Sequence, residues 1–308
     1  MIDRGRRLLI HGIGGAAMLA VVGKLSADAI ASINADLAAL ERRSGGRLGV
    51  AVLDGRSGAL VGHRLHSRFA LCSTFKLSLA AAILARIDAG SIAPNARLLI
   101  TRADPVGHSP VVRAHLDAGE SSMAVLDLAE AAQTQSDNGA ANILLRKIGG
   151  PAVLTAFWRR LGDGVSRLDR YEPGLNTSQG RDLRDTTTPA AMAQTICAIL
   201  SGPLLKPASR ARLIDCTVAT RTGLSRLRAG LPADWRVGDK TGTMNGDKTL
   251  NDKYNDVAIC WRPNRAEPHF ITAYFESAVR GHDGARPEDD AVLAEVGRIT
   301  ARWIEARG

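Results

Sequence analysis

Residues 48–63 read LGVAVL, DGRSG and ALVGH in succession, and the first elements of the fold can be inferred from them. Two apolar segments, 48–53 and 59–63, flank a short turn that contains two glycines, an aspartate and a serine. Strand-forming residues on either side of such a turn predict a pair of consecutive β-strands.

Three more segments near the end of the chain are typical of strands, namely Arg236-Val237-Gly238, Val257 to Trp261 and Phe270 to Phe275. Residues 263–268 predict the turn between the last two. Helical patterns between glycine and proline breaks fill the middle of the chain, from about Ser73 to Ile214. The simplest closure pairs the strands from both ends of the chain in one sheet.

A helix precedes the first strand and another ends the chain. The first has apolar residues at helical spacing from Ile30 to Leu40 and stops at residues 44–46. The last begins at Pro287, and its apolar positions from Val292 to Trp303 form one stripe. We expect both helices to cover the same face of the sheet.

The length of 308 residues fits two lobes better than one. We expect an α/β lobe from residues 30–66 and 218–308, and an all-helical lobe from residues 67–217. A cleft between two lobes is a common place for a ligand.

Composition excludes several classes of protein. Hydrophobic residues make up 45% and charged residues 23% of the chain, which excludes a disordered protein. Aromatic residues are only 4%, and the arginines behind the net charge of +9 are scattered, so a nucleic-acid binder is disfavoured. No apolar run after residue 30 has the roughly 18 residues of a membrane span.

The N-terminus has the pattern of a secretory signal peptide. Arg4, Arg6 and Arg7 precede the apolar stretch 8–23, and the A-x-A pattern Ala-Asp-Ala at 27–29 follows. We therefore predict a signal peptide over residues 1–29 and export to the periplasm or the medium. A short membrane anchor or a buried helix is the alternative, and the two adjacent arginines leave the export route open.

Export makes disulfides possible among Cys72, Cys197, Cys216 and Cys260. A chain of this length can build a core without them, so we expect mostly buried free thiols. Neither C-x-x-C nor a Cys/His metal spacing is present, which argues against a zinc site.

Three short motifs contain catalytic residue types. Ser73-Thr-Phe-Lys76 begins an apolar helix and places the serine and the lysine on one helix face. Ser136-Asp-Asn138 precedes a second apolar helix, and Lys240-Thr-Gly-Thr243 lies on an edge-like strand. Each motif alone has an ordinary interpretation, since the first two are typical helix starts and the third a strand with a glycine.

Together and in this order, the motifs form the S-x-x-K, S-D-N and K-T-G signature of class A β-lactamases and penicillin-binding proteins. A fourth segment, Glu172-Pro-Gly-Leu-Asn176, is similar to the class A Ω-loop at 170–185, which an Arg170–Asp185 ion pair would close. Beyond its first 29 residues, nearly the whole chain resembles a class A serine β-lactamase.

The resemblance implies a fold with an antiparallel sheet of about five strands flanked by helices, plus the all-helical subdomain. It also implies the catalytic roles. Ser73 is the expected nucleophile, and Lys76, or Glu172 through a water, the expected base for it. Ser136 is expected to protonate the leaving nitrogen, and Glu172 to drive deacylation. The backbone N–H groups of Ser73 and Thr243 are the expected oxyanion hole.

The resemblance implies further residues that bind the substrate or its water. Asn176 is expected to hold the hydrolytic water, and Asn138 to contact the amide of the substrate. The expected carboxylate-binding residues are Lys240, Thr241, Gly242, Thr243 and Arg226. No metal and no cofactor is implied, and the expected protein is a monomer with small-molecule β-lactams as its partners.

Several residues depart from the family pattern. Gly174 replaces an acidic residue of the loop, and Cys216 replaces a tryptophan. His108 stands where an aromatic residue usually lines the mouth of the cleft, although a solvent-facing loop histidine is an equal alternative. In the carbapenem-hydrolysing branch of the family, a cysteine at the position of Cys72 forms a disulfide with a cysteine just after K-T-G-T. That partner position is Met244 here, so we expect no such disulfide.

Two other functions share parts of the signature. A DD-peptidase has S-x-x-K and K-T-G but lacks the deacylating glutamate, and a β-lactam-binding sensor is acylated and then stalls. Glu172 in its E-P-x-L-N frame argues against the first. A sensor usually carries membrane spans and a signalling region, for which the chain has no room. The absence of an H-x-H-x-D cluster argues against a metal-dependent lactamase.

Overall fold

The computed structural model describes residues 27–307. The strands are β1 Arg47–Asp54, β2 Leu60–His63, β3 Phe69–Ala70, β4 Arg97–Leu99, β5 Ser122–Ala124, β6 Thr186–Thr187, β7 Arg236–Met244, β8 Asn251–Trp261 and β9 His269–Arg280. The helices are α1 Ala27–Ser44, α2 Phe75–Asp88, α3 Pro110–Asp117, α4 Val125–Thr134, α5 Asn138–Ile148, α6 Pro151–Arg160, α7 Pro189–Ser201, α8 Pro207–Val218, α9 Leu227–Gly230 and α10 Pro287–Glu305. Residues Cys72–Thr74 and Gly174–Thr177 form short 3₁₀ turns.

Five strands form one antiparallel sheet in the order β2-β1-β9-β8-β7. The N-terminal hairpin therefore pairs with the last strand of the chain, and the predicted closure is confirmed. The strands β8 and β9 are longer than their sequence patterns suggested, whereas β7 includes the Lys240-Thr-Gly-Thr243 segment that was expected on a strand. The pattern missed the start of β8 because Lys253 and Asp256 are buried polar residues, which break an apolar run.

The two faces of the sheet pack against different layers. On one face, α1 and α10 cover the sheet, with Leu37 against Val50 and Val296 in a shared apolar cluster. The other face joins the core of the helical half, in which Phe75 and Ile83 of α2 are fully buried. Alternation along β1 explains both layers, because successive side chains of a strand point to opposite faces.

The middle of the chain is mainly helical, as predicted. It also contains β3 paired with β6 and β4 paired with β5, which are ladders of two or three residues. The lobe over residues 67–217 is therefore not all-helical, contrary to the prediction, because it contains two short β-ladders. Their strands are too short for a sequence pattern to reveal. The helix α2 lies in the centre of this half and is buried from residue 75 to residue 84.

The predicted signal peptide lies outside the described residues, except for Ala27-Asp28-Ala29 at the start of α1. Among the helices within residues 27–307, none is long and apolar enough to cross a membrane.

Candidate active site

Ser73 lies in the 3₁₀ turn that leads into α2, and Lys76 lies in the first turn of that helix. Their spacing brings the lysine Nζ to 2.9 Å from the serine Oγ. Lys76 is fully buried and Ser73 is 8% exposed. The positive end of the α2 dipole lies beside the serine, where it favours developing negative charge.

Glu172 contacts both residues from the loop 170–185. Ser73 Oγ donates to Glu172 Oε1 at 3.1 Å, and Lys76 Nζ lies 3.1 Å from the same oxygen. Asn176 donates to Glu172 Oε2 at 2.6 Å. Asn142 of α5 holds the backbone of Glu172 by two hydrogen bonds, donating to its carbonyl at 2.9 Å and accepting from its N–H at 3.0 Å. These bonds fix the carboxylate beside the serine.

The loop that carries Glu172 is closed by Asp185, as predicted. Arg170 Nε donates to Asp185 Oδ2 at 2.6 Å, and the backbone N–H groups of Asp169 and Arg170 donate to Oδ1 at 2.6 and 3.0 Å. The Glu172–Pro173 peptide bond is cis. A Cβ at Gly174 would meet no atom within 4 Å. A side chain at this position would therefore point into open space, and the glycine leaves no gap in the packing of the loop.

In the Ser136-Asp137-Asn138 segment, the side chains of Ser136 and Asn138 lie in the site, whereas the side chain of Asp137 stabilises the fold. Lys76 Nζ donates to the carbonyl of Ser136 at 2.8 Å and to Asn138 Oδ1 at 2.5 Å. Asp137 is fully buried, and its carboxylate accepts from Ala140 N at 2.8 Å and from Val111 N at 2.8 Å. The aspartate is thus the N-cap of α5 and also ties this segment to α3.

The edge strand β7 closes the site from the opposite side. Lys240 Nζ donates to Ser136 Oγ at 2.9 Å and to the carbonyl of Thr241 at 2.7 Å. A Cβ at Gly242 would lie 3.0 Å from Leu71 O and 3.1 Å from Ser73 N. Glycine therefore lets β7 approach the turn that carries the nucleophile.

Arg226 lies behind Thr243 and is only 4% exposed. It donates to Thr243 Oγ1 at 2.7 Å and to the carbonyl of Gly242 at 3.0 Å. Asp290, at the start of α10, accepts from Arg226 Nε at 2.7 Å. From the sequence alone, Asp290 is only an acidic residue in a first helical turn, because its partner Arg226 is 64 residues away in the chain.

These residues surround a cleft of about 470 Å³. Lys76, Lys240 and Glu172 lie buried behind its wall. The residues that line it are Ser73, His108, Ser136, Asn138, Asn176, Thr222, Gly223, Arg226, Thr241, Thr243, Asn245, Ala285 and Asp290. His108 is exposed and also lines the cleft. It is therefore both a solvent-facing loop histidine and a residue at the mouth of the cleft.

Burial dominates the electrostatics of the two lysines. It lowers the pKa of Lys76 below the ordinary lysine value, and the nearby Glu172 carboxylate opposes this shift. Burial lowers the pKa of Lys240 further, and the positive charge of Lys76 acts in the same direction. Each lysine therefore releases its proton more easily than a lysine in water.

Two buried carboxyl groups lie beneath the floor of the cleft. Burial raises the pKa of Asp239 to about 6, against the opposing effect of Arg228. Burial and the charge of Asp239 raise the pKa of Asp256 well above its usual range. Lys240 follows Asp239 on β7, and Asp256 is paired with Thr241 in the sheet.

The structure brings all of the sequence-predicted site residues to one cleft or to its wall. Sequence reasoning missed Asp290, Thr222 and Asn245. Thr222 shares a hydrogen bond with Thr241 at 2.7 Å, and no motif surrounds it.

Within residues 27–307, no group of three or more His, Cys, Asp or Glu side chains could hold a metal ion. All four cysteines lie in this range, and none forms a disulfide there. Cys72 and Cys260 are buried, whereas Cys197 and Cys216 are only partly buried, which is less burial than the sequence suggested.

Comparisons with known proteins agree with this geometry. The profile of the β-lactamase enzyme family, Beta-lactamase2, matches residues 32–304. Beta-lactamase L2 of Stenotrophomonas maltophilia is 42% identical over 99% of this chain and 100% of its own length. Beta-lactamase CTX-M-97 of Escherichia coli is 42% identical over 79% of this chain and 81% of its own length. A solved ancestral (GNCA) class A β-lactamase is 52% identical, with a TM-score of 0.81, over 89% of this chain and 99% of that one. A solved β-lactamase from Xanthomonas campestris is 42% identical, with a TM-score of 0.83, over 90% of this chain and 98% of that one.

Proposed function

Because the chain belongs to the β-lactamase enzyme family and is a class A serine β-lactamase, we propose which of its residues carries each step of β-lactam hydrolysis. The enzyme opens the β-lactam ring through a serine acyl-enzyme and thereby gives resistance to β-lactam antibiotics. One observation carries the assignment: a single serine oxygen, Ser73 Oγ, lies within hydrogen-bond distance of both a buried lysine and a buried glutamate.

Acylation begins with the attack of Ser73 Oγ on the lactam carbonyl carbon. Lys76 Nζ at 2.9 Å and Glu172 Oε1 at 3.1 Å are the two groups in reach of its proton. Since these two groups are themselves 3.1 Å apart, we assign them to one unit that accepts the proton. Lys76 then remains able to accept it when Glu172 is removed, because burial lowers its pKa.

The backbone N–H groups of Ser73 and Thr243 stabilise the oxyanion that forms. The close approach of Gly242 to Ser73 N supports this assignment, since it brings the two segments together. Donors of this kind act on charge that is present only in the transition state.

Ser136 delivers a proton to the lactam nitrogen as the ring opens. Its Oγ accepts from Lys240 Nζ at 2.9 Å, and its carbonyl accepts from Lys76 Nζ at 2.8 Å. The serine thus lies between two lysines of lowered pKa, which can replace the proton that it gives up.

Deacylation needs a water activated on the Glu172 side of the ester. Asn176 donates to Glu172 Oε2, while its own Oδ1 is buried and has no partner among the described residues. A buried amide oxygen beside a carboxylate suits a water that donates to both. We assign Glu172 as the base for this water and Asn176 as the residue that positions it.

The remaining residues recognise the substrate. Lys240, Thr241 and Thr243 bind its carboxylate, and Arg226 adds a second positive charge behind Thr243 at 2.7 Å. Asn138, which lines the cleft, contacts the amide of the substrate side chain.

The location and the organisation of the chain are also proposed. The pattern in residues 1–29 supports a signal peptide and export. Residues 30–66 and 218–308 form the α/β lobe and residues 67–217 the helical lobe, and the protein acts as a monomer. N-terminal sequencing of the protein recovered from the periplasm tests the cleavage site.

The variant Glu172→Ala tests the assignment of roles. We expect a burst of one product equivalent with a chromogenic cephalosporin, followed by a stall, and an acyl adduct on Ser73 in the mass spectrum. Glu295→Ala is a matched control, because this glutamate is partly buried on α10, lines no part of the cleft and, within residues 27–307, forms its ion pair with Arg298.

A Glu172→Ala variant that turns over as fast as the parent would exclude the deacylating role. A variant without a burst would show that Lys76 alone does not suffice for acylation. In the parent enzyme, many turnovers without a stall separate the hydrolase from a DD-peptidase or a sensor that holds its acyl group.

A further inference from the structure

A second cavity, of about 110 Å³, lies outside the catalytic cleft. The turn between β1 and β2, the turn between β8 and β9, and the end of α10 meet there. Its lining is mostly charged and consists of Asp54, Arg56, Arg262, Arg265, Glu267, His269, Ile304 and Arg307. None of these residues lines the catalytic cleft.

Two nitrogen atoms in this lining are buried without a hydrogen-bond partner among the described residues, namely Arg262 Nε and His269 Nδ1. Buried polar atoms in native proteins are nearly always satisfied, by protein, water or ligand. These two atoms have almost no accessible surface, so an occupant of the cavity would contact the outer guanidinium nitrogens of the lining arginines instead. The volume is enough for one tetrahedral oxyanion or about three waters.

The charge of the lining favours an anion over water alone. Four arginines face two carboxylates. Asp54 is already engaged, because it accepts from the N–H groups of Arg56 and Ser57 and from Ser57 Oγ, at 2.8 to 3.3 Å. Within residues 27–307, neither Arg56 nor Arg262 nor Arg307 forms an ion pair with a carboxylate. The end of α10 adds only about half a negative charge.

We propose that this basic pocket binds a tetrahedral oxyanion of the phosphate class, either as a free ion or as the terminal phosphate of a larger molecule. Arg262 and Arg56 donate to it from two different turns, and His269 lies beside them in the lining. Guanidinium groups on separate elements suit an acceptor with several oxygens, because each can donate two parallel hydrogen bonds.

His269 provides a local readout. Burial and the charges of Arg262 and Arg307 lower its pKa, while Asp54 opposes the shift. Arg56, Arg265 and Glu267 are the other charged groups of the cavity. A bound dianion favours the protonated imidazole, so phosphate should raise the pKa of His269.

The test is a titration of the full-length mature enzyme with sodium phosphate at constant ionic strength. Calorimetry gives the Kd, and the imidazole resonance of His269, assigned with His269→Gln, reports binding at the pocket. We expect a saturable shift of the His269 resonance, and an affinity for phosphate at this pocket that is weaker by at least about tenfold in Arg262→Gln and in Arg56→Gln. Arg298→Gln is the matched control, since it removes the same charge from α10 outside the pocket.

Arg56 lies on an exposed turn, so its variant tests the proposal even if Arg262→Gln does not fold. No shift of the His269 resonance, or equal weakening in all three arginine variants, would overturn the proposal. Binding that is lost in Arg226→Gln and kept in Arg262→Gln would place the ion in the catalytic cleft and would also overturn it.

Vesicles of phosphatidylcholine with and without phosphatidic acid show whether the bound phosphate group is a free ion or part of a lipid. Sedimentation that requires phosphatidic acid and Arg262 identifies a lipid phosphate as the ligand. A His269 shift with free phosphate and no sedimentation identifies the free ion.

Discussion

Replacing Gly242 with alanine should slow turnover without preventing folding. The added Cβ would lie 3.0 Å from Cys72 Cβ, 3.0 Å from Leu71 O and 3.1 Å from Ser73 N. Ordinary contacts between carbon atoms are about 3.5–4.0 Å, so β7 and the nucleophile turn must separate by roughly 0.5 Å. Two of the three neighbouring atoms belong to the backbone, which cannot rotate away as a flexible side chain could.

The size of the effect follows from the oxyanion hole. Its donors act at about 2.7–3.1 Å, and the loss of one donor costs about 10²–10³ in rate. A separation of roughly 0.5 Å weakens the donor at Thr243 without removing it. We therefore expect kcat to fall by about 10- to 100-fold, and KM to change less because the oxyanion forms after substrate binding.

The assay is steady-state turnover of a chromogenic cephalosporin, normalised to folded protein by circular dichroism. Gly164→Ala is the matched control, because a Cβ there would meet no atom within 4 Å. Turnover of Gly242→Ala within twofold of the parent would show that the added Cβ does not weaken the donor at Thr243. A loss of activity that merely follows a loss of folded protein would contradict the prediction as well.

Three further predictions follow from the contacts around the cleft. Arg226→Gln should lower kcat/KM about tenfold or more, mainly through KM, since the positive charge that we propose for binding the substrate carboxylate behind Thr243 is lost. An unchanged KM in steady-state kinetics would contradict this. Asp137→Ala should lower the free energy of unfolding by about 3 kcal/mol, because buried N–H groups of α3 and α5 lose their acceptor, and urea denaturation measures the change. Asp256→Asn should stabilise the protein at pH 7 but hardly at pH 4. Since the folded pKa of Asp256 is raised, the parent loses stability as the pH rises above the unfolded value of 3.8, and the asparagine does not. Equal urea midpoints of parent and Asp256→Asn at both pH values would contradict the last prediction.

The sequence was sufficient to predict the architecture. The apolar alternation of β1 and β2 and the stripe of α10 depend on local spacing, and the structure confirms them. The start of β8 was not predictable in this way. Its buried Asp256 accepts a hydrogen bond from the backbone N–H of Leu227 in α9, a contact between distant segments that no local pattern reveals.

The candidates for catalysis could be identified from the sequence alone, because the motifs around Ser73, Ser136 and Lys240 occur together and in the order of the class A signature. Their geometry depends on the tertiary structure. It brings Glu172 to within 3.1 Å of Ser73 across 99 residues of chain, and it pairs Arg226 with Asp290. Contacts between distant segments depend on packing, since the pKa of a buried lysine and the position of a carboxylate arise from atoms that no local pattern encodes.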